Sequence, residues 1–302
     1  MRHEPVLIHE TIEAMNLRKG GRVIDCTLGD GGHAEAILEA IGPKGKLLGI
    51  DADPESLLRA KRFLYRFGEQ VVYARDNFEN LSKIIVDNNF GLADAILMDL
   101  GWSSPQFEER NRGFSFERDE PLDMRYTPVN GSETTAEKII NEWNVKELEE
   151  IFRRFGEEDL SKEIAEAIDA VRKVNQIKTT RELAEIILQV YRSKLKTEKE
   201  IPWIGGIHPA TKVFQALRIA VNRELEVLKQ ALPQAYESLA GNGRLAVITF
   251  HSLEDRIVKH YFQTLSSGEA KLITAKPITA GEAELEANRR SRSAKLRVIE
   301  KI

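Results

Sequence analysis

The chain has 302 residues, 42% apolar and 30% charged, which excludes an intrinsically disordered chain and suits one domain carrying an insertion. A formal net charge of −4 argues against a protein that coats nucleic acid over its whole surface, so any RNA contact has to be local. There is no apolar run of the roughly 20 residues that span a bilayer and no signal-like core near Met1, and the single cysteine, Cys26, excludes an internal disulfide; the expectation is a cytoplasmic protein with no membrane partner.

In chain order, Val23-Ile24-Asp25 predicts a first strand that runs into glycines. Ala34, Ile37, Leu38 and Ile41 then recur at helical spacing until Gly42-Pro43-Lys44-Gly45 breaks the pattern. Leu47 to Asp51 predicts a second, buried strand. Pro54 opens a helix with Leu57, Ala60, Leu64 and Phe67 inward. Val71-Val72-Tyr73 and Ala95 to Asp99 predict strands three and four. Apolar strands separated by helices indicate a parallel sheet covered on both faces.

Beyond Gly113 the pattern changes to successive helices from about Glu133 to Leu195, with Thr179 and Glu182 as a capping box for the last. A long helix is expected from Pro209 to Lys229 and a fifth strand from Leu245 to Phe250. Ser252 is read as the cap of the next helix with Asp255 three residues on as its capping-box partner, and Lys271–Lys276 with Lys295–Lys301 as a closing antiparallel pair. The division that follows assigns residues 1–108 and 207–302 to a discontinuous α/β domain and 109–206 to an all-helical insertion for substrate recognition.

Ligands of open α/β sheets bind at the carboxyl ends of the strands, near the topological switch point. After strand one comes Asp25-Cys26-Thr27-Leu28-Gly29-Asp30-Gly31-Gly32-His33, where glycines admit a ligand close to the backbone. After strand two comes Asp51, a carboxylate suited to the ribose hydroxyls of an adenine nucleoside. A dinucleotide site wants a third glycine and a helix N-terminus free of negative charge, whereas Glu35 stands here. S-adenosylmethionine has no phosphates and carries positive charge, so Asp25 and Asp30 suit it better. Phe78 after strand three is either an adenine-stacking ring or a core aromatic. No Cys/His spacing suggests a metal. Cys26 is read as packing, and His208 as a loop or cap residue.

Strand four ends in Asp99-Leu100-Gly101-Trp102-Ser103-Ser104-Pro105-Gln106, a loop like those of enzymes that methylate exocyclic amines. The amino nitrogen of cytosine is a poor nucleophile because its lone pair is delocalised into the ring. Acceptors on its hydrogens, from Asp99, Ser103 or Ser104, would free that pair, leaving catalysis to positioning and electrostatics.

The chain resembles the ribosomal RNA small-subunit methyltransferase H family, also called MraW. The likeness rests on His3 to Leu7, Asp25 to His33, Gly49 to Pro54, Asp99 to Gln106, Arg112 to Phe116, Leu122 to Arg125, Phe214 to Ile219 with Asn222, Phe250 to Arg256 and Arg292 to Arg297. It implies a Rossmann-like S-adenosylmethionine-dependent methyltransferase sheet with an inserted all-helical domain. It implies methylation of the exocyclic N4 of a cytidine in the decoding region of 16S ribosomal RNA, at the P site, within the small subunit or its precursor. It carries cofactor contacts onto Gly31, Gly32, His33, Asp51, Phe78, Asp99 and Gln106.

For substrate binding, Arg112 and Arg125 are expected on phosphates, in a loop that with the insertion walls a cleft. His251 and Arg256 are expected at the flipped base, with His251 alternatively satisfying a buried group. Phe114 and Phe116 are expected to pack rather than stack on bases. The basic cluster Arg289, Arg290, Arg292, Lys295 and Arg297 is a second candidate RNA surface. A methyltransferase for another amine in DNA or a small molecule, a nicotinamide-dependent oxidoreductase, and a non-enzymatic RNA-binding protein are the rival readings; DNA is not the expected partner.

Overall fold

The computed structural model describes residues 5–100, 111–126, 134–197 and 208–302. Seven strands form one sheet: β1 (Arg22–Asp25), β2 (Lys46–Asp51), β3 (Val71–Arg75), β4 (Ala93–Asp99), β5 (Leu239–Thr249), β6 (Ala270–Leu272) and β7 (Lys295–Lys301). Their order is β3-β2-β1-β4-β5-β7-β6, with the first five parallel and β7 antiparallel to both its neighbours.

Alternate residues of the central strands enter two different cores, as the period of two requires. Val23, Leu47, Leu97 and Ile248 pack with Ile37, Leu38 and Ile41 of helix Gly32–Ile41. Ile24, Leu48, Ile96, Met98 and Val247 pack with Leu81, Leu228, Leu232 and Phe262 on the other face. Burial on both faces explains why these strands read as continuous apolar runs.

Two compact units are defined, Met1–Ser103 with Leu225–Ile302, and Ser104–Glu224. The second contains helices Ala136–Glu142, Val145–Gly156, Ser161–Arg172, Thr180–Leu195 and Thr211–Asn222 around a core of Ile139, Phe152, Ile164, Leu183 and Leu217. The expected capping box is present: Thr179 Oγ1 accepts from Glu182 N–H, and the Glu182 carboxylate accepts from Thr179 N–H at 3.0 Å.

Helix Thr211–Asn222 has its apolar face in this helical core, and a Cβ at Gly156 would meet the Lys212 carbonyl at 2.6 Å. Its neighbour Val145–Gly156 therefore comes close only because residue 156 is glycine. His208 Nδ1 accepts from Ala210 N–H in the turn before helix Thr211–Asn222, so of the loop and cap roles expected of it, it takes the loop one.

Three expectations need correction. The long helix expected from Pro209 to Lys229 is two helices, Thr211–Asn222 and Glu224–Glu237, because Arg223 adopts a left-handed conformation (φ 51°). Asn222 secures that break: its amide donates to Met124 O and Arg218 O, and Arg218 forks onto Glu224. Strand five begins at Leu239, well before Leu245; a register irregularity between Ala93 and Ala95, and the Gly241-Asn242-Gly243 stretch with Asn242 at φ 61°, hide its start from periodicity.

The third correction concerns the cap of helix Ser252–Leu265. It is preceded by His251, and the stabilising carboxylate is Glu254, which accepts from Phe250 N–H and His251 N–H, while Asp255 goes elsewhere. The closing antiparallel pair, by contrast, is present in β6 and β7, with β6 (Ala270–Leu272) shorter than the expected Lys271–Lys276. No helix among the described residues is long and apolar enough to cross a membrane.

Candidate active site

The strand order reverses direction between β1 and β4, and three aspartates sit at neighbouring carboxyl ends: Asp25 on β1, Asp51 on β2 and Asp99 on β4. The turn after β1 is built by Gly29 (φ 53°) and Gly31 (φ 89°), both left-handed, with Gly31 immediately before the helix. Asp51 holds this turn in place. One of its oxygens accepts from Gly29 N–H and the other from Asp53 N–H, each at 2.8 Å. Asp53 in turn caps the Pro54 helix by accepting from Glu55 N–H and Ser56 N–H.

Thr27 links β1 to β4. Its backbone N–H donates to Asp25 Oδ1, and its hydroxyl accepts from Asp99 N–H at 2.7 Å. Asp99 is 18% exposed, with His33 Nδ1 3.5 Å from its Oδ2. The His33 Nε2 lies 3.0 Å from the Val6 carbonyl, which only a donor can approach, so the ring proton sits on Nε2. Gly32 admits the N-terminal segment, since a Cβ there would meet Pro5 Cγ at 2.3 Å.

Burial lifts the Asp25 carboxyl from its ordinary 3.8 to about 7, opposed by the Thr27 amide and reinforced by the charges of Asp99 and Asp51. Burial likewise lifts Asp51 to about 6, against the bonds from Asp53 and Gly29 N–H. Folding thus favours the neutral form of Asp25. Its stabilising contribution is complete below about pH 4 and is lost as pH rises through about 7, a change worth up to about 4 kcal/mol. We expect Asp25→Asn, which keeps an acceptor for Thr27, to flatten the fall in melting temperature between pH 4.5 and 8. Thermal melts at half-unit intervals check this, and profiles parallel to the original would contradict it.

The other expected site residues are spread more widely. Phe78 opens a short 3-10 turn after β3 and is partly buried against the sheet core. Ser103, Ser104 and Gln106 lie outside the described residues. Arg112 donates to the carbonyls of Arg125 and Tyr126, and Arg125 forks onto both oxygens of Asp123, so each guanidinium has internal partners. Phe114 stacks on Tyr126 and Phe116 on His208, the packing expected of them. His251 is 8% exposed with Nε2 3.2 Å from Glu254 Oε1, whereas Arg256 is exposed on the following helix. Cys26 is buried, as expected.

Asp30 is tied to Arg59 at 2.8 Å and Glu35 to Arg66. In the basic cluster near the C-terminus, Arg297 and Lys295 both donate to Asp255, and Arg297 is only 7% exposed, so these two hold β7 to its helix. Arg290, read in the sequence only as part of a candidate RNA surface, is brought beside Asp99 by the tertiary fold. Its guanidinium lies in the field of Asp99 and 6.0 Å from the Phe250 ring centroid, with burial lowering its pKa and Asp99 opposing the change. Residues so far apart in sequence leave no periodic signal.

Three carboxylates at one end of the sheet suit a cationic ligand without phosphates, and the glycine turn and Asp51 suit a nucleoside. The fold and the site define a Rossmann-like α/β enzyme of the kind that takes S-adenosylmethionine rather than a dinucleotide. The chain belongs to the MraW methylase family, whose model matches residues 1–302; it is a methyltransferase, and S-adenosylmethionine is its cofactor.

Its relatives align over essentially the whole of this chain. A protein of Clostridium botulinum named ribosomal RNA small subunit methyltransferase H is 42% identical over 100% of this chain and 99% of its own length. One of Symbiobacterium thermophilum with the same name is 44% identical over 99% of this chain and 96% of its own, and one of Dehalococcoides mccartyi is 44% identical over 99% and 86%.

Proposed function

We propose that this methyltransferase acts on ribosomal RNA of the small subunit, and that its target is the exocyclic N4 of one cytidine in the decoding region of 16S RNA, at the P site. The observation that carries the reading is identity of 42–44% over essentially the whole chain with relatives named for that RNA. The placement of an acidic side chain at the end of β4 agrees with an amine as acceptor.

The bound cofactor supplies an electrophilic methyl group on a cationic sulfur. Gly31, Gly32 and His33 form the turn and first helical residues that receive it, Asp51 accepts from the ribose hydroxyls, and Phe78 borders the adenine. Asp99 accepts a hydrogen from the amine and so localises its lone pair on nitrogen. Ser103, Ser104 and Gln106 complete the loop. The target base has to leave its stack, and Arg256 is the exposed cation nearest in sequence to the end of β5 that suits the RNA backbone. Arg112 and Arg125 reach RNA in this reading only by exchanging their internal acceptors, and His251 serves the base only by turning from Glu254.

The test is to incubate the protein with labelled S-adenosylmethionine and small ribosomal subunits that lack the modification, then digest the RNA and identify the labelled nucleoside by mass spectrometry. The expected product is a cytidine methylated on N4 at one position. Label in duplex DNA with none in the subunits would favour the DNA-amine alternative and defeat the assignment.

A further inference from the structure

Helix Pro54–Phe63 buries Leu57 and Ala60 against the sheet, and its other side is exposed. The exposed positions are Leu58, Lys61 and Arg62, then Tyr65 at the start of the short turn Tyr65–Gln70. Spacings of three and four residues put them on one face. Leu58 is 50% exposed and Tyr65 86%, and Tyr65 is the one aromatic among the large exposed hydrophobics of the described residues. One exposed ring is ordinary in itself. A ring set among cations that no carboxylate neutralises is the arrangement that holds single-stranded nucleic acid.

The charges of this face are unbalanced. Arg59 and Arg66, the other cations of the stretch, are engaged by Asp30 and by Glu35 with Glu39. Lys61 and Arg62 are exposed and form no ion pair with the described residues. Lys61 Nζ lies 5.3 Å from the centroid of the Tyr73 ring on β3, the edge strand. Two residues beyond Tyr73, and so on the same side of that strand, Arg75 is exposed. The nearby carboxylates have partners: Glu55 lies 4.0 Å from Arg59, and Asp76 accepts from Asn77 N–H and the Asn80 amide. Glu69 stands at the far end of the turn, where Lys46 Nζ donates to its carbonyl at 2.7 Å. In a chain of net charge −4, three cations are thus gathered around one exposed ring.

We propose that this face binds a single-stranded segment of the RNA substrate outside the active site, with one base stacked on Tyr65 and the flanking phosphates on Lys61, Arg62 and Arg75. The inference rests on the ribosomal RNA reading above. Phosphates call for cations, and every base has a π-face, so the surface adds affinity without reading sequence. The helix begins at the carboxyl edge of the sheet, directly after Asp53, and its ten residues run about 15 Å away from that edge. RNA whose target base enters at the end of β4 has this face as a second hold, remote from the methyl transfer. The rate of the chemical step at saturating RNA is therefore independent of it.

Filter binding of the protein, loaded with S-adenosylhomocysteine, to small subunits lacking the modification and to protein-free 16S RNA tests the proposal. Tyr65→Ala is expected to weaken both about tenfold, while Tyr65→Phe, which keeps the ring, stays within about twofold. Lys61→Gln combined with Arg62→Gln is expected to lower the slope of log affinity against log salt by about 1.4, the share of two phosphates on a single strand. Lys271→Gln with Lys276→Gln removes the same charge near the opposite edge strand, β6, and is expected to leave affinity within about twofold. Cofactor-product binding is expected to be the same in all of them.

Unchanged affinity in Tyr65→Ala and in the Lys61, Arg62 pair would overturn the proposal. An equal loss in the Lys271, Lys276 pair would do so too, by assigning the effect to overall charge. A loss seen with subunits but not with protein-free RNA would make the face a dock for a ribosomal protein and overturn it likewise. If the unaltered protein binds the cofactor product but neither RNA probe, the ribosomal reading itself fails, and this proposal with it.

Discussion

Asp99→Asn is expected to lower kcat/KM for methyl transfer by about a hundredfold or more while leaving the fold intact. The asparagine keeps the volume of the side chain at the end of β4, and the backbone N–H still donates to Thr27 Oγ1. What it loses is negative charge beside His33 Nδ1 and under the field of Arg290. A neutral amide is a weaker acceptor for the hydrogens of an aryl amine than a carboxylate, and ionised acceptors make roughly twice as strong a bond. Single-turnover rates with the ribosomal substrate, alongside a thermal melt, check the prediction. A rate within about threefold of the original would place Asp99 outside the chemistry.

Asp51→Ala is expected to weaken S-adenosylhomocysteine binding by about a hundredfold, close to 2.7 kcal/mol. Two losses combine. The ribose hydroxyls lose their ionised acceptor, and the N–H groups of Gly29 and Asp53 lose the carboxylate that shapes the glycine turn. Because burial raises Asp51 to about 6, the affinity should fall as pH drops through that value, where protonation removes acceptor capacity. In Asp51→Asn the part of the pH dependence that belongs to this residue should disappear, leaving any that Asp25 contributes near 7. Calorimetry between pH 5 and 8 measures both effects. Equal affinity for Asp51→Ala and the unaltered protein would remove Asp51 from the cofactor site.

Much of this site is legible in sequence because its parts are local. A strand, a glycine turn and a helix occupy consecutive residues from Arg22 to Ile41, so the turn after β1 shows in the one-dimensional pattern. The same holds for Asp51 and Asp99, each the last residue of an apolar run. The Thr179–Glu182 box is legible for the same reason. The break at Arg223 is not, since apolar spacing continues across it and the amide of Asn222 finds its carbonyl on Met124, 98 positions away. The misplaced cap at Ser252 has a similar origin: two acidic residues follow it, and only the neighbours decide which of them caps. Arg297 claims Asp255 from 42 positions away, and Glu254 is left for the helix start.

The sequence by itself determined that this chain is a parallel α/β sheet interrupted by helices, with a glycine turn and strand-ending aspartates at its carboxyl end and the motifs of the MraW family, because hydrophobic period, turn chemistry and motif order are properties of neighbours along the chain. Only the tertiary structure decided which charges are committed to each other. It tied Arg59 to Asp30 and Arg297 to Asp255, and it set His33 between Val6 and Asp99 with Arg290 in the field of Asp99. Charge partners are chosen through space, where a bond of 3 Å joins residues separated by tens or hundreds of positions, and no periodicity in the chain encodes that choice.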